Sequence, residues 1–217
     1  MKINPALVKE MLRTHDFSIM EQRIFFALIK KSQESEKSPA EYHSYKELIS
    51  VTGNLTPRPS GLAINSCKAT LRRFTELDFN FHGVTFKILD EYFHEKLGIE
   101  MIQKGVTVSN ATRYNISLVF NHQFMTFNAP ITEFPMDTHS FIRRPSILSF
   151  FTFLFLGLAT KPQITIKKDD LMLELKDDRP KTFAKRLRKK LKVVNSLVGP
   201  SVIKMMTAKD VYIFTTY

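Results

Sequence analysis

Residues 178–197 read DRPKTFAKRLRKKLKVVNSL, and the fold of the chain turns on how this stretch is interpreted. Phe183, Leu187, Leu191, Val194 and Val198 recur every three or four residues, the spacing that gathers side chains on one face of an α-helix. Lys181, Lys185, Arg188, Lys189 and Lys192 recur at the same spacing on the opposite face, with Arg186 and Lys190 beside them. No acidic residue falls between Arg179 and Lys192. Such a helix is either an ordinary helix with a solvated basic face or one that lays its cations along a DNA groove. The rest of the chain bears on the choice.

A chain of 217 residues suits one large domain or two small ones, since domains commonly hold roughly 100–150 residues. Its 43% apolar content is enough for a packed core. The net charge of +11 favours a polyanionic partner, with nucleic acid first and an anionic membrane surface as the rival. The only cysteine, Cys67, excludes an internal disulfide and suits a reducing cytosol. It falls on the apolar side of a predicted helix, where packing is its expected role. The N-terminus carries no signal-peptide pattern. The longest apolar run, Ile147 to Ala159, is shorter than the ~18–20 residues of a bilayer span and is expected to be a buried helix. The expectation is a soluble, cytoplasmic protein that does not enter a membrane.

In chain order, a short leading helix is expected through His15. A second helix follows, opened by the Ser18/Glu21 capping pair and burying Ile24, Phe25, Leu28 and Ile29. Gln33 to Glu41 is a loop. A very short strand at Tyr42-His43 precedes a short helix with Ser44 and Glu47 at capping-box spacing. Gly53 is its expected stop, and 54–59 a loop with two prolines. Ser60 to Leu77 is a longer helix with Ile64, Cys67, Leu71 and Phe74 inward. Asn65, Lys68 and Arg72 share another of its faces, and Arg73 lies farther round. Phe79 to Leu89 alternates about His82-Gly83 as a hairpin. Asp90 to Lys104 is ambiguous, with a short helix through Phe93 and Leu97 as one reading. Val106–Val108 and Arg113–Phe120 are strands, and Asn128 to Pro135 is a junction. An apolar helix over 146–159, a strand at 163–166, a short helix over 168–175, the basic helix begun at Pro180, and a last hairpin about 208–210 complete the chain.

Each half therefore runs apolar helix, short strand, short helix, longer helix, hairpin. This is a helix-turn-helix with a β-hairpin wing, and the expected fold is α+β: two winged-helix domains in tandem, 1–128 and 129–217. In such modules the second helix of the pair enters the major groove. The candidate DNA-binding residues are Asn65, Lys68, Arg72 and Arg73 on the first such helix. On the second they are Lys181, Lys185, Arg186, Arg188, Lys189 and Lys192. Asparagine and arginine suit adenine and guanine edges respectively.

The order of parts resembles that of the tandem winged-helix plasmid replication initiators, the iteron-binding Rep proteins. The residues that carry the resemblance are Ser18-Ile19-Met20-Glu21-Gln22-Arg23-Ile24-Phe25, Tyr45-Lys46-Glu47-Leu48, Leu71-Arg72-Arg73-Phe74, and Asp169-Asp170-Leu171 ahead of the basic helix. The resemblance spans about residues 16–217, but 90–104 matches nothing in the family pattern. It implies binding of double-stranded DNA at direct repeats in an origin, and recruitment of host replication initiation proteins and helicase. It also implies a homodimer in balance with the monomer.

Other chemistry is not supported. Seven glycines occur, without a Gly-rich phosphate loop followed by Lys-Ser/Thr, which argues against ATP hydrolysis. His15, His43, His82, His94, His122 and His139 are scattered, with no metal-ligand spacing and no His-apolar-His motif of a nicking enzyme. No cofactor, metal or catalytic residue is expected. A transcriptional repressor needs the same duplex binding and stays open. A peripheral-membrane or protein-interaction role for the basic helix would require bulky apolar residues beside its cations on an exposed face. Here the apolar residues take the opposite face.

Overall fold

A computed structural model describes residues 1–34, 40–42, 45, 48–49, 61–97, 102–103, 106–107, 113–129, 131–198 and 203–216. The fold is mixed α and β, and the chain forms two compact units, one of residues 20–129 and the other of 1–19 with 130–217. The expected stop at Gly53, the loop 54–59, the caps at Ser44 and Ser60 and the helix end at Gly199-Pro200 lie outside the described residues.

The 20–129 unit is built on helix α2 (Ile19–Glu34), in which Ile24 to Ile29 are buried in an unbroken run. A run of that kind, with no polar face, marks a helix enclosed by its unit. Strand β2 (Ala40–Tyr42) follows, and then Tyr45, Leu48 and Ile49, which are helical and buried. Helix α3 (Gly61–Glu76) turns Cys67, Thr70, Leu71 and Phe74 inward, with Phe74 edge-on to Phe25 at 6.5 Å. Strands β3 (Phe79–Phe81) and β4 (Val84–Phe86) make a tight hairpin. Its turn residues, His82 and Gly83, both have positive φ, as a two-residue turn matched to strand twist requires. Strand β5 (Leu89–Leu97), the short strands β6 (Ile102–Gln103) and β7 (Val106–Thr107), and strand β8 (Arg113–Phe120) come next. An antiparallel sheet of order β2-β8-β5 results. Helix α4 (His122–Phe127) is capped by Asn121. The Asn128 side chain then donates to Ser32 Oγ at 2.9 Å, tying the end of the unit back to α2.

Two expectations change in this unit. The hairpin at 79–86 forms, but it is an addition beside the main sheet; the hairpin that completes that sheet is β5–β8. The ambiguous stretch from Asp90 is strand β5 through Leu97, and no short helix forms at Phe93 and Leu97. A register shift between Leu89 and Glu91 breaks the alternation, and Phe93 stays 55% exposed on an edge strand. The apolar/polar period that announces a strand is therefore missing from its sequence.

In the other unit, strand β1 (Lys2–Ile3) pairs with β9 (Thr132–Glu133). Helix α1 (Pro5–Thr14), capped by Asn4, buries Leu7, Val8 and Met11. Helix α5 (Met136–Phe141) leads to α6 (Pro145–Leu158), the apolar helix, which buries Phe150, Phe151 and Leu154. Gly157 lets α6 approach the sheet, since a Cβ there would stand 2.5 Å from Ile164 Cδ1. Strand β10 (Gln163–Lys167), helix α7 (Lys168–Glu174), a 3-10 turn (Pro180–Thr182), helix α8 (Phe183–Val198) and the hairpin β11 (Lys204–Ala208) and β12 (Val211–Thr215) follow. The sheet order is β10-β12-β11, and Phe214 of β12 meets Phe150 at 5.9 Å. Among the described residues no helix is long and apolar enough to cross a membrane.

The division of the chain thus differs from the one expected at 128/129. Residues 1–19 belong with the downstream half, because β1 finds its partner strand at 132–133 and α1 packs on α6. Each unit runs through a helix, a short strand, further helical residues, a longer helix and a hairpin, with the last strand in the middle of its sheet.

Candidate nucleic-acid interface

Helix α8 sorts its side chains as its periodicity demands. Phe183, Leu187, Leu191 and Val194 are buried, and Lys185, Arg188, Lys189 and Lys192 are exposed, as is Lys181 in the preceding turn. Phe183 packs edge-on against Tyr212 of β12 at 5.8 Å. The Arg188 charge acts on the same Tyr212, whose phenol burial pushes above its ordinary pKa, so the basic face and the hairpin are neighbours. Near the hairpin tip, the backbone N–H of Lys168 donates to Asp210 O at 2.7 Å, and Lys209 takes a left-handed conformation. Lys167, Lys168 and Lys209 are drawn together there with Asp169 and Asp210, a charged group that the linear sequence does not single out. Only the β10–β12 pairing brings Lys167 opposite Val211, so the linear sequence offers no local signal for it.

Arg186 does not join the exposed row. Its Nε donates to Asp177 Oδ2 at 3.1 Å, its Nη2 to Asp177 Oδ1 and to the Arg179 carbonyl at 3.0 Å, and its Nη1 to Thr182 Oγ1. The Asp177 side chain is only 5% exposed and also accepts from the Arg179 N–H at 3.2 Å. The guanidinium thereby locks the turn that aims α8, a bidentate arrangement for which lysine is no substitute. Lys190 lies on the same side. Burial pushes its pKa down, while Asp177 supports its charge and Arg186 and Arg179 oppose it.

Burial alone would raise the Asp177 carboxyl, but the Arg186 hydrogen bond, the Arg179 amide and the two guanidinium charges outweigh it and hold the pKa below its ordinary 3.8. A carboxylate depressed in the folded state stabilises the fold above its unfolded pKa and loses that contribution as pH falls through the lowered value. Asp177→Asn should therefore cost about 1.5–3 kcal/mol at neutral pH, the worth of hydrogen bonds to a charged group. The gap from the wild type should close as acid takes the pH below 3.8. Urea unfolding of both proteins across that range checks it, and parallel profiles would count against the clamp.

On α3, Asn65 and Arg72 are exposed on the face away from Cys67 and Leu71, and Lys68 is half-buried with Nζ 5.3 Å from the Tyr45 ring centroid. Cys67 is fully buried, and desolvation pushes its thiol up to about 12, so packing is its role. Arg73 is turned away from this face and pairs with Glu21 of α2, whose side chain is 13% exposed. Strand β5 adds two residues that the sequence analysis missed. The His94 ring stacks on Tyr92 with centroids 5.5 Å apart, and the Tyr92 hydroxyl bonds that of buried Tyr45. Alternation of Tyr92 and His94 on one face was their only signal, and it required β5 to be seen as a strand. Among the described residues no cluster of His, Cys, Asp or Glu is arranged to hold a metal ion.

No protein-family model and no curated protein sequence matches the chain. Solved structures do resemble it. A crystal structure of RctB domains 2-3 is similar over 93% of this chain and 83% of that one, with a TM-score of 0.57 and 13% sequence identity. A selenomethionine derivative of domain 2 and domain 3 of RctB gives 0.55 over 92% and 82%, again at 13% identity. At this identity the likeness is one of fold.

Proposed function

We propose that this chain is a sequence-specific duplex-DNA-binding protein made of two winged-helix modules, with α3 and α8 as recognition helices. We further propose that it initiates plasmid replication at origin repeats without catalysis of its own. The observation that carries the DNA-binding reading is the outward row Lys181, Lys185, Arg188, Lys189 and Lys192, held opposite the buried face of α8. Its neighbour Arg186 is committed to fixing the helix in place. A row of cations fixed on one side of a rigid helix matches the phosphate spacing of a groove better than a diffuse charge does. The repeated element order and matching sheet orders support the winged-helix assignment. The step from DNA binding to replication initiation rests on the resemblance to the iteron-binding Rep proteins, and the likeness to RctB domains 2-3 is consistent with it. Recruitment of host initiation proteins and helicase, and a homodimer, rest on that resemblance alone. A cytoplasmic location is proposed from the single cysteine, which suits a reducing compartment.

Selection of bound sequences from random duplex DNA tests the reading. Enrichment of direct repeats supports an initiator, an inverted repeat supports a repressor, and no enrichment rejects sequence-specific binding. With the selected site in hand, Asn65→Ala should lower discrimination between cognate and scrambled duplex by about 1–3 kcal/mol, the worth of a good base contact. Nonspecific affinity should change less. Discrimination equal to the wild type in that variant would remove Asn65 from base readout.

A further inference from the structure

Helix α3 and strand β5 set Lys68 and His94 on one aromatic floor, and the Arg72 charge of α3 acts on the same imidazole. Tyr45, 1% exposed, forms the base, and its hydroxyl bonds that of Tyr92. The His94 ring lies flat on Tyr92, with interplanar angle 19°, and is 6.3 Å from Tyr45 between centroids. Lys68 holds its ammonium over the Tyr45 ring. From α3 the charges set against His94 are Lys68 and Arg72. Helical Tyr45 faces it, the neighbour on the same strand face is Tyr92, and the residue across on β8 is Ile116. Glu91 and Glu95 occupy alternate positions of β5 and so fall on its other face.

We infer that Lys68, Arg72 and His94 form one phosphate-holding site, which seats a phosphodiester of the DNA backbone together with a proton taken up by His94. The inference rests on the DNA-binding reading above. Without a ligand, desolvation and then the cations Lys68 and Arg72 hold His94 below its ordinary pKa, which favours the neutral imidazole. A phosphate placed among the three reverses the balance: the anion offsets the two cations and favours a third, and a protonated imidazole offers two N–H donors. A duplex is the fitting source of that phosphate, because Arg72 also shares the outer face of α3 with Asn65. Backbone contacts flanking a helix are what hold its base-reading residues in register.

The test measures affinity of the full chain for its selected duplex between about pH 5.5 and about pH 8, the range in which histidine titrates. Wild type and His94→Gln are compared. Wild-type affinity should tighten as pH falls, approaching about tenfold per pH unit where free His94 is neutral and bound His94 is charged. The His94→Gln profile should lack that component, and circular dichroism should show it folded, since His94 is exposed. Calorimetry in two buffers of different ionisation enthalpy should show wild-type binding taking up protons that the variant does not. In Lys68→Gln without DNA, the His94 ring resonances should titrate at higher pH than in the wild type. Identical pH profiles for wild type and His94→Gln overturn the inference while leaving DNA binding intact. Failure of the wild-type chain to bind any duplex overturns the DNA-binding reading itself. If inorganic phosphate shifts the His94 titration as far as duplex does, the site takes a free anion and the backbone assignment falls.

Discussion

Alanine at Lys185, Arg188, Lys189 and Lys192 together should flatten the dependence of log affinity on log salt by about 3–4 units, at roughly 0.9 per neutralised phosphate. Nonspecific duplex affinity at low salt should fall on the order of a hundredfold or more. The effect follows from position. All four side chains are exposed on the face opposite Phe183, Leu187, Leu191 and Val194, so their loss leaves the packing of α8 intact and removes charge alone. Arg186→Ala makes the contrasting control. It should cost stability, because it leaves Asp177 buried without its bidentate partner, and it should change the salt slope little. Anisotropy titrations at several salt concentrations, beside thermal unfolding of each variant, separate the two effects. A salt slope that survives the fourfold substitution unchanged would take α8 out of the interface.

Residues 130–217 expressed alone should fail to fold, and a peptide of residues 1–19 added in trans should restore the fold. The reason is that Ile3, Leu7, Val8 and Met11 are each no more than 1% exposed, all in the unit completed by 130–217. Burial of each such side chain stabilises by roughly 1.5–3 kcal/mol, as an upper estimate. Four of them together rival the total stability of an ordinary domain, about 5–15 kcal/mol. The β1–β9 pairing would be lost as well. Near-UV circular dichroism of the fragment, with and without the peptide, is the direct measurement. A cooperative native spectrum from 130–217 alone would show that the first nineteen residues are dispensable to that unit.

The same contrast separates what could be read along the chain from what could not. The basic helix was legible in its faces because helical periodicity is local: each side chain's direction follows from its neighbours three and four residues away. The Ser60–Leu77 helix, observed as Gly61–Glu76, and the apolar helix at 146–159, observed as Pro145–Leu158, were legible for the same reason. The β8 strand announced itself by its buried alternate residues Ile116, Leu118 and Phe120. Strand β5 did not, because its edge position and register shift leave Phe93 open to solvent and erase the period. The role of individual cations was equally hidden. Arg73 and Arg186 look like their neighbours in sequence, yet one is claimed by Glu21, fifty-two positions away, and the other by Asp177 across a turn. The allegiance of α1 depended on a strand more than a hundred residues downstream. The sequence by itself determined the longer helices α2, α3, α6 and α8, the apolar face of the basic one and where the positive charge is concentrated, since all of these are short-range properties. Only the tertiary structure decided which of those charges remain available to a polyanion and which unit each end of the chain completes. Both depend on partners that long-range packing brings together.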